Sequence, residues 1–231
     1  MPRLQDILAQ HAGKFAAVVP YDRAADKLLL LNFTASNTAL TDEVLNDTEK
    51  FSQYVNEQLG VEYRYGVGGY NEHRTVYSRS TVFDTTDEPR RLHLGVDIWG
   101  PAGVPVFAPL DGRVHSFAFN DHYGDYGATI ILEHTLDGAT FYSLYGHLAQ
   151  RDLEGLHEGK EIKQGEEFCH FGEPVENGYW PPHLHFQLIE NMGEWRGDYP
   201  GVCKFSERET YLANGPDPDI ILGMVQNAIQ E

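Results

Sequence analysis

Beyond about residue 61, the apolar residues of this chain fall into short runs, each closed by Gly, Pro, Asp or Asn. Runs of that length, with turn formers on either side, specify strands rather than helices. The clearest are 104–108, 112–119, 128–133, 140–145 and 183–189. A mainly β domain is the fold expected from this texture.

The first 60 residues read differently. Leu4, Ile7, Leu8 and His11 have helical spacing, residues 27–34 have the apolar density of a strand, and 41–59 has the pattern of a helix. Thr41 is the expected N-cap of that helix, with Asp42 and Glu43 in its first turn and Gly60 at its end. The polar stretch from 85 to 91 lacks periodicity and marks the expected boundary. The chain therefore divides into a small N-terminal α+β extension, 1–84, and a mainly β domain, 85–231. Gly66-Val67-Gly68-Gly69 is followed by no GK[ST] or strand-to-helix fingerprint, so a turn is expected there in place of a phosphate loop.

Charge narrows the function classes. With 35 acidic against 17 basic side chains, the formal charge of -18 repels nucleic-acid phosphates and strongly anionic surfaces. No nucleic acid or membrane partner is expected. Leu28 to Leu31, running into Phe33, is the longest apolar stretch and is far short of the about 20 residues that cross a bilayer. Asp6, Gln10 and His11 interrupt what would be the apolar core of a signal peptide, which points to a cytoplasmic protein, or a periplasmic one if a leader has been removed. Cys169 and Cys203 are too few for a disulfide framework and are read as free thiols.

The chemistry is concentrated in two motifs. His93-Leu94-Gly95-Val96-Asp97 sets an imidazole and a carboxylate four positions apart, and His183-Leu184-His185 sets two imidazoles two apart. On extended strands both spacings put the paired side chains on one face. Imidazole nitrogen and carboxylate oxygen are zinc donors, and a catalytic zinc keeps three protein ligands and one open position. Either motif alone also fits side chains on a solvated strand face. Both occur in one β-rich region with Tyr145-Gly146-His147-Leu148. HExxH and G-x-S-x-G are absent.

These motifs resemble the M23 family of zinc metallopeptidases, the LytM and lysostaphin group. The likeness runs from about His93 to about Leu188 and takes in Val104-Pro105-Val106, Asp111-Gly112-Arg113-Val114, Tyr126-Gly127 and Pro182-His183-Leu184-His185-Phe186. It implies an antiparallel β-sheet metallopeptidase fold, one zinc ion held by His93, Asp97 and His185, and His147 with His183 as the non-ligand catalytic pair. The implied activity is endopeptidase hydrolysis of a peptide or related amide bond through a zinc-activated water. The remaining histidines, His134 among them, are read as structural or solvated.

The chain departs from wall-hydrolysing members in the loop before His183, where Glu173-Pro174-Val175-Glu176-Asn177-Gly178-Tyr179-Trp180-Pro181-Pro182 replaces a small polar loop and is expected to line the cleft. Tyr179 and Trp180 can either stack on a ligand or pack the loop. Segments 68–74, 176–183, 198–202 and 216–219 are similar to the peptidase-like domain fused to class III aminotransferases in bacteria. That similarity implies a cytoplasmic role and an aminotransferase-associated protein partner. Two rival readings follow: a non-hydrolytic, metal-stabilised binding or regulatory module, and a zinc hydrolase of a small amide.

Overall fold

The computed structural model describes residues 3–84 and 87–230. Thr85 and Thr86, at the expected boundary, and Met1 and Pro2, in the expected leader reading, lie outside them.

Among the described residues twelve strands follow in order: β1 (Leu28–Leu30), β2 (Tyr65–Gly68), β3 (Leu92–His93), β4 (Val96–Trp99), β5 (Pro105–Phe107), β6 (Gly112–Asn120), β7 (Gly127–Leu136), β8 (Ala139–Leu148), β9 (Glu161–Ile162), β10 (Glu167–His170), β11 (His183–Ile189) and β12 (Val202–Cys203). Eight of them form one sheet in the order β1-β2-β4-β11-β8-β7-β6-β9. Among these paired strands only β1 with β2 is parallel. The pairs β5 with β10 and β3 with β12 form two small antiparallel ribbons. The expected mainly β, antiparallel fold is what the chain adopts.

Alternation along the central strands divides the sheet into a core face and a site face. Val67 of β2, Ile98 of β4 and Leu184, Phe186 and Leu188 of β11 belong to the main core, with Ile130, Leu132 and Tyr145. The intervening residues Gly66, Gly68, Asp97, Trp99, His183, His185 and Gln187 therefore project to the other face. The expected strand at 183–189 has those bounds, the expected 104–108 shortens at both ends, and the expected 112–119, 128–133 and 140–145 lengthen.

The N-terminal residues join this sheet through β1 and β2. Helix α1 (Leu4–Gln10) buries Leu4, Ile7 and Leu8 as its spacing requires. The expected helix over 41–59 is instead two helices, α2 (Asp42–Leu45) and α3 (Thr48–Leu59). Asp47 divides them, because its carboxylate accepts hydrogen bonds from the backbone N–H groups of Glu49 and Lys50 and starts a new helix. Thr41 caps α2 through Val44 N–H, and Gly60 ends α3 with φ +53°.

The glycine-rich segment expected as a turn is a strand, and β1 covers only the start of the strand expected over 27–34. The reason lies in tertiary packing. A Cβ on Gly66 would lie 2.4 Å from Leu31 Cδ1, so the missing side chain lets β2 pass beneath its neighbour. Near the C-terminus come α4 (Arg208–Asn214) and α5 (Asp219–Leu222), whose Ile221 is buried in the main core. No helix among the described residues is long and apolar enough to cross a membrane. Both cysteines are buried and free, as expected.

Candidate metal centre

Register brings the site residues together. His185 on β11 pairs with Asp97 on β4, which pairs in turn with Gly68 on β2, while Gly146 on β8 flanks His185 from the other side. One row across the sheet thus reads Gly68, Asp97, His185, Gly146. The glycines at its ends leave room for two large side chains from elsewhere. A Cβ on Gly68 would lie 2.3 Å from Arg74 Nη2, and one on Gly146 would lie 2.4 Å from Tyr126 Cδ1.

His93 arrives by a different route from the one its spacing predicts. It ends β3, and Leu94-Gly95 interrupt the chain before β4, so His93 and Asp97 are not on one continuous strand. Gly95 makes the break tolerable, since a Cβ there would lie 2.6 Å from His185 Cε1.

His93, Asp97 and His185 are all buried, and each turns one donor atom toward the other two. His93 Nε2 is 3.0 Å from His185 Nδ1 and 3.2 Å from Asp97 Oδ1, and His185 Nδ1 is 3.0 Å from the same oxygen. The hydrogen bonds on the outer side of the rings identify the tautomers. His93 Nδ1 lies 3.0 Å from Gly69 O, a group that can only accept, so Nδ1 carries the proton. Gln187 Nε2 donates to Pro200 O, which turns its Oε1 toward His185 Nε2 at 3.0 Å and makes that nitrogen the donor.

Nε2 of His93 and Nδ1 of His185 are therefore lone pairs, converging on a carboxylate oxygen. Burial opposes ionisation of Asp97, but the Arg74 guanidinium, which donates to its Oδ2, holds its carboxyl well below the usual carboxylate range. Burial, reinforced by Arg74, lowers His93 to about 4. Three electron-rich atoms at this separation repel one another unless a cation lies between them. Zinc bonds of about 2.0–2.2 Å at the tetrahedral angle hold donors roughly 3.3 Å apart, so the observed triangle fits zinc with only a slight opening.

His147 and His183 stand beside this triangle. His183 pairs with Trp99 across β11 and β4 and stacks on its indole at 3.8 Å and 12°. Between the pairs Ile130–Tyr145 and Ala128–Leu148, two residues of β8 face one of β7. This bulge lifts Gly146-His147 out of the regular ladder and turns the His147 ring toward His183, 4.1 Å away. The cost is a left-handed His147, φ +63°. Its backbone N–H donates to Tyr126 O and its carbonyl accepts from Gly172 N–H.

Each of these imidazoles donates from Nδ1 to a carbonyl, His147 to Asn177 O and His183 to Pro181 O, both at 2.8 Å. That leaves Nε2 as the lone-pair nitrogen of each ring. Burial, with the neighbouring His183, pushes His147 well below the ordinary imidazole range, and burial lowers His183 to about 4. Asp97, His147, His183 and His185 all line one cavity of about 170 Å³.

Of the loop before His183, Trp180 alone reaches the cavity it was expected to line. Trp180 is buried at 3% exposure against Phe51, Tyr77 and Phe83 and lines the cavity. Tyr179 is 42% exposed and packs beside Tyr123. The acids do not line the cavity. Glu176 is consumed in accepting backbone N–H groups of Gln150 and Glu173, which folds the loop back on itself. His134 is structural: it is buried between Asp111 O and Ser143 Oγ.

Sequence reasoning did not anticipate Arg74, Tyr126, Tyr77 or the orienting role of Gln187. Tyr126 places its hydroxyl 3.4 Å from His185 Nε2, and Tyr77 packs 6.3 Å from the His93 ring. No local pattern marks such residues, because their roles arise from contacts between distant segments.

The fold and the site together define a candidate metal centre on the face of an antiparallel sheet, attended by two lone-pair imidazoles. The model of peptidase family M23 matches residues 91–196, and the chain belongs to that family, one of zinc peptidases. It is 35% identical over 92 residues to the lipoprotein NlpD of Yersinia enterocolitica, covering 40% of this chain and 84% of that protein. It is 30% identical over 112 residues to the peptidoglycan DD-endopeptidase ShyC of Vibrio cholerae, covering 45% of this chain and 23% of that one. It is also 30% identical over 146 residues to an L-Ala--D-Glu endopeptidase of Bacillus subtilis, covering 59% and 43%. The chain thus spans less than half the length of these two endopeptidases.

Proposed function

We propose that this chain is a zinc-dependent peptidase that hydrolyses a peptide or related amide bond, with His93, Asp97 and His185 as zinc ligands and His147 and His183 as the proton-handling pair. The observation that carries this reading is the convergence of three lone-pair donors within 3.0–3.2 Å, beside two imidazoles whose Nε2 atoms carry no proton. Zinc in such a donor set lowers the pKa of water towards about 7 and polarises a scissile carbonyl. His147 and His183, neutral and tethered through Nδ1, accept a proton at Nε2 and return it to the leaving amine. Trp99, stacked on His183, prevents that ring from tipping away.

The substrate belongs to the same proposal. The named endopeptidases are similar over only part of their lengths. The net charge of -18 supports a peptide or small amide over an anionic wall polymer. We also propose residues 85–231 as the catalytic unit, completed by 1–84. Cytoplasmic localisation and an aminotransferase-associated partner extend the proposal, supported by the charge and by the likeness of segments 68–74 and 176–183.

The test is metal analysis of the purified protein, followed by hydrolysis of amino-acid amides, short peptides and muropeptides before and after chelation. The expected result is one zinc per chain, with turnover that is lost on chelation and regained with one equivalent of zinc. A zinc-replete protein inactive on all three classes would remove the peptidase reading and favour a binding module. His147→Ala is expected to retain zinc and lose about 10²–10⁴-fold in rate. Full activity in that variant would refute the role given to His147.

A further inference from the structure

We propose that Arg74 is a positioning residue of the metal centre, holding Asp97 so that Oδ1 alone is presented to the ion while Oδ2 is withheld. The proposal rests on the zinc reading above. Arg74 lies before the segment 91–196 that the family model matches.

The two oxygens of Asp97 have separate partners. Oδ1 completes the donor triangle, and Oδ2 accepts a hydrogen bond from Arg74 Nη1. Arg74 is held on several sides. It is 1% exposed, its Nε donates to Glu72 Oε2 at 2.6 Å, its Nη1 lies 3.4 Å from the Tyr77 hydroxyl, and its guanidinium lies over the Phe33 ring at 5.4 Å. The guanidinium cannot swing away without breaking the pair with Glu72 and leaving a buried charge unpaired.

Room for it is built into the sheet. Gly68 pairs directly with Asp97, and a Cβ there would lie 2.3 Å from Arg74 Nη2. The charges also balance: Glu72 offsets Arg74, so the group of Glu72, Arg74 and Asp97 keeps one net negative charge to offer a cation. A carboxylate free to rotate gives a cation either one oxygen or both. Tied at Oδ2 it gives one, which keeps the protein ligands at three and a position open. A planar fork can pin an oxygen in this way, whereas an ammonium supplies only a point charge.

The experiment measures zinc affinity by chelator competition, and the visible absorption of the cobalt-substituted protein, for wild type, Arg74→Met, Arg74→Lys and Gly68→Ala. Arg74→Met is expected to weaken zinc binding by about 10–100-fold. Its cobalt band is expected to lose intensity, because the released Oδ2 reaches the ion and raises its coordination number. Arg74→Lys should fall between Arg74→Met and wild type. Gly68→Ala keeps the arginine but displaces its head, and should move both readouts in the same direction even if Arg74→Met fails to fold. The cobalt spectrum decides: folded variants with the wild-type spectrum overturn the role of Arg74, whatever their affinity. A wild-type protein that binds neither metal overturns the zinc reading instead.

Discussion

His134 is as deeply buried as the site histidines, yet its surroundings give it no chemistry. Both ring nitrogens are engaged, one with Asp111 O and one with Ser143 Oγ, and burial lowers its pKa to about 4. Unfolding restores a value near 6.5, so below that pH the unfolded chain binds the extra proton. Stability from His134 is therefore fully present above about pH 6.5 and is lost as pH falls towards 4. The full difference is about 3 kcal/mol. Other buried imidazoles add to this in the metal-free protein, so the comparison that isolates His134 is wild type against His134→Gln. Thermal unfolding between pH 8 and 4 should show a shallower acid decline in the variant, despite a lower starting stability. Equal slopes would mean that His134 does not titrate as its burial requires. At this scale the proposed ligands stand in short motifs whose residue types already suggest a metal, although His93 reaches the triangle from a separate strand. Arg74 was not readable, since nothing local distinguishes a buried arginine on a carboxylate from a solvated one.

Local chemistry and tertiary context compete most clearly over 41–68. The apolar spacing across 41–59 is continuous, but Asp47 supplies a second N-cap inside it, and the chain forms α2 and α3 instead of one helix. Asp47→Ala should cost about 1 kcal/mol, which for a chain of this size lowers the melting temperature by about 2–4 °C. An unchanged melting temperature would assign the break to packing rather than to the cap. The segment Gly66-Val67-Gly68-Gly69 erred in the opposite direction. Glycine has low strand propensity, but β2 is paired on both edges and uses its glycines to admit Leu31 and Arg74. The bulge that turns His147 was equally invisible, because a register shift belongs to two strands and not to either sequence.

Across the whole molecule, the likeness to M23 peptidases located the sheet and its site, but β1 and β2, which carry the N-terminal residues into that sheet, have no motif of their own. The three proposed ligands come from β3, β4 and β11, so an ion bound among them ties the small β3–β12 ribbon to the centre of the main sheet. Without a cation, the folded state must keep three lone pairs in mutual contact, and the unfolded chain has no such constraint. Zinc that binds the folded form alone adds about 2.7 kcal/mol of stability at a free concentration one hundred times its dissociation constant. At 2–4 °C per kcal/mol, the melting temperature should rise by roughly 5–10 °C when zinc is returned to the chelated protein. His185→Ala should lose that increment along with its metal while remaining folded in chelator. Calorimetry of both proteins, with and without zinc, provides the check. Stoichiometric zinc in His185→Ala, or a wild-type protein that binds one equivalent with no change in melting temperature, would place the ion elsewhere than in this triangle.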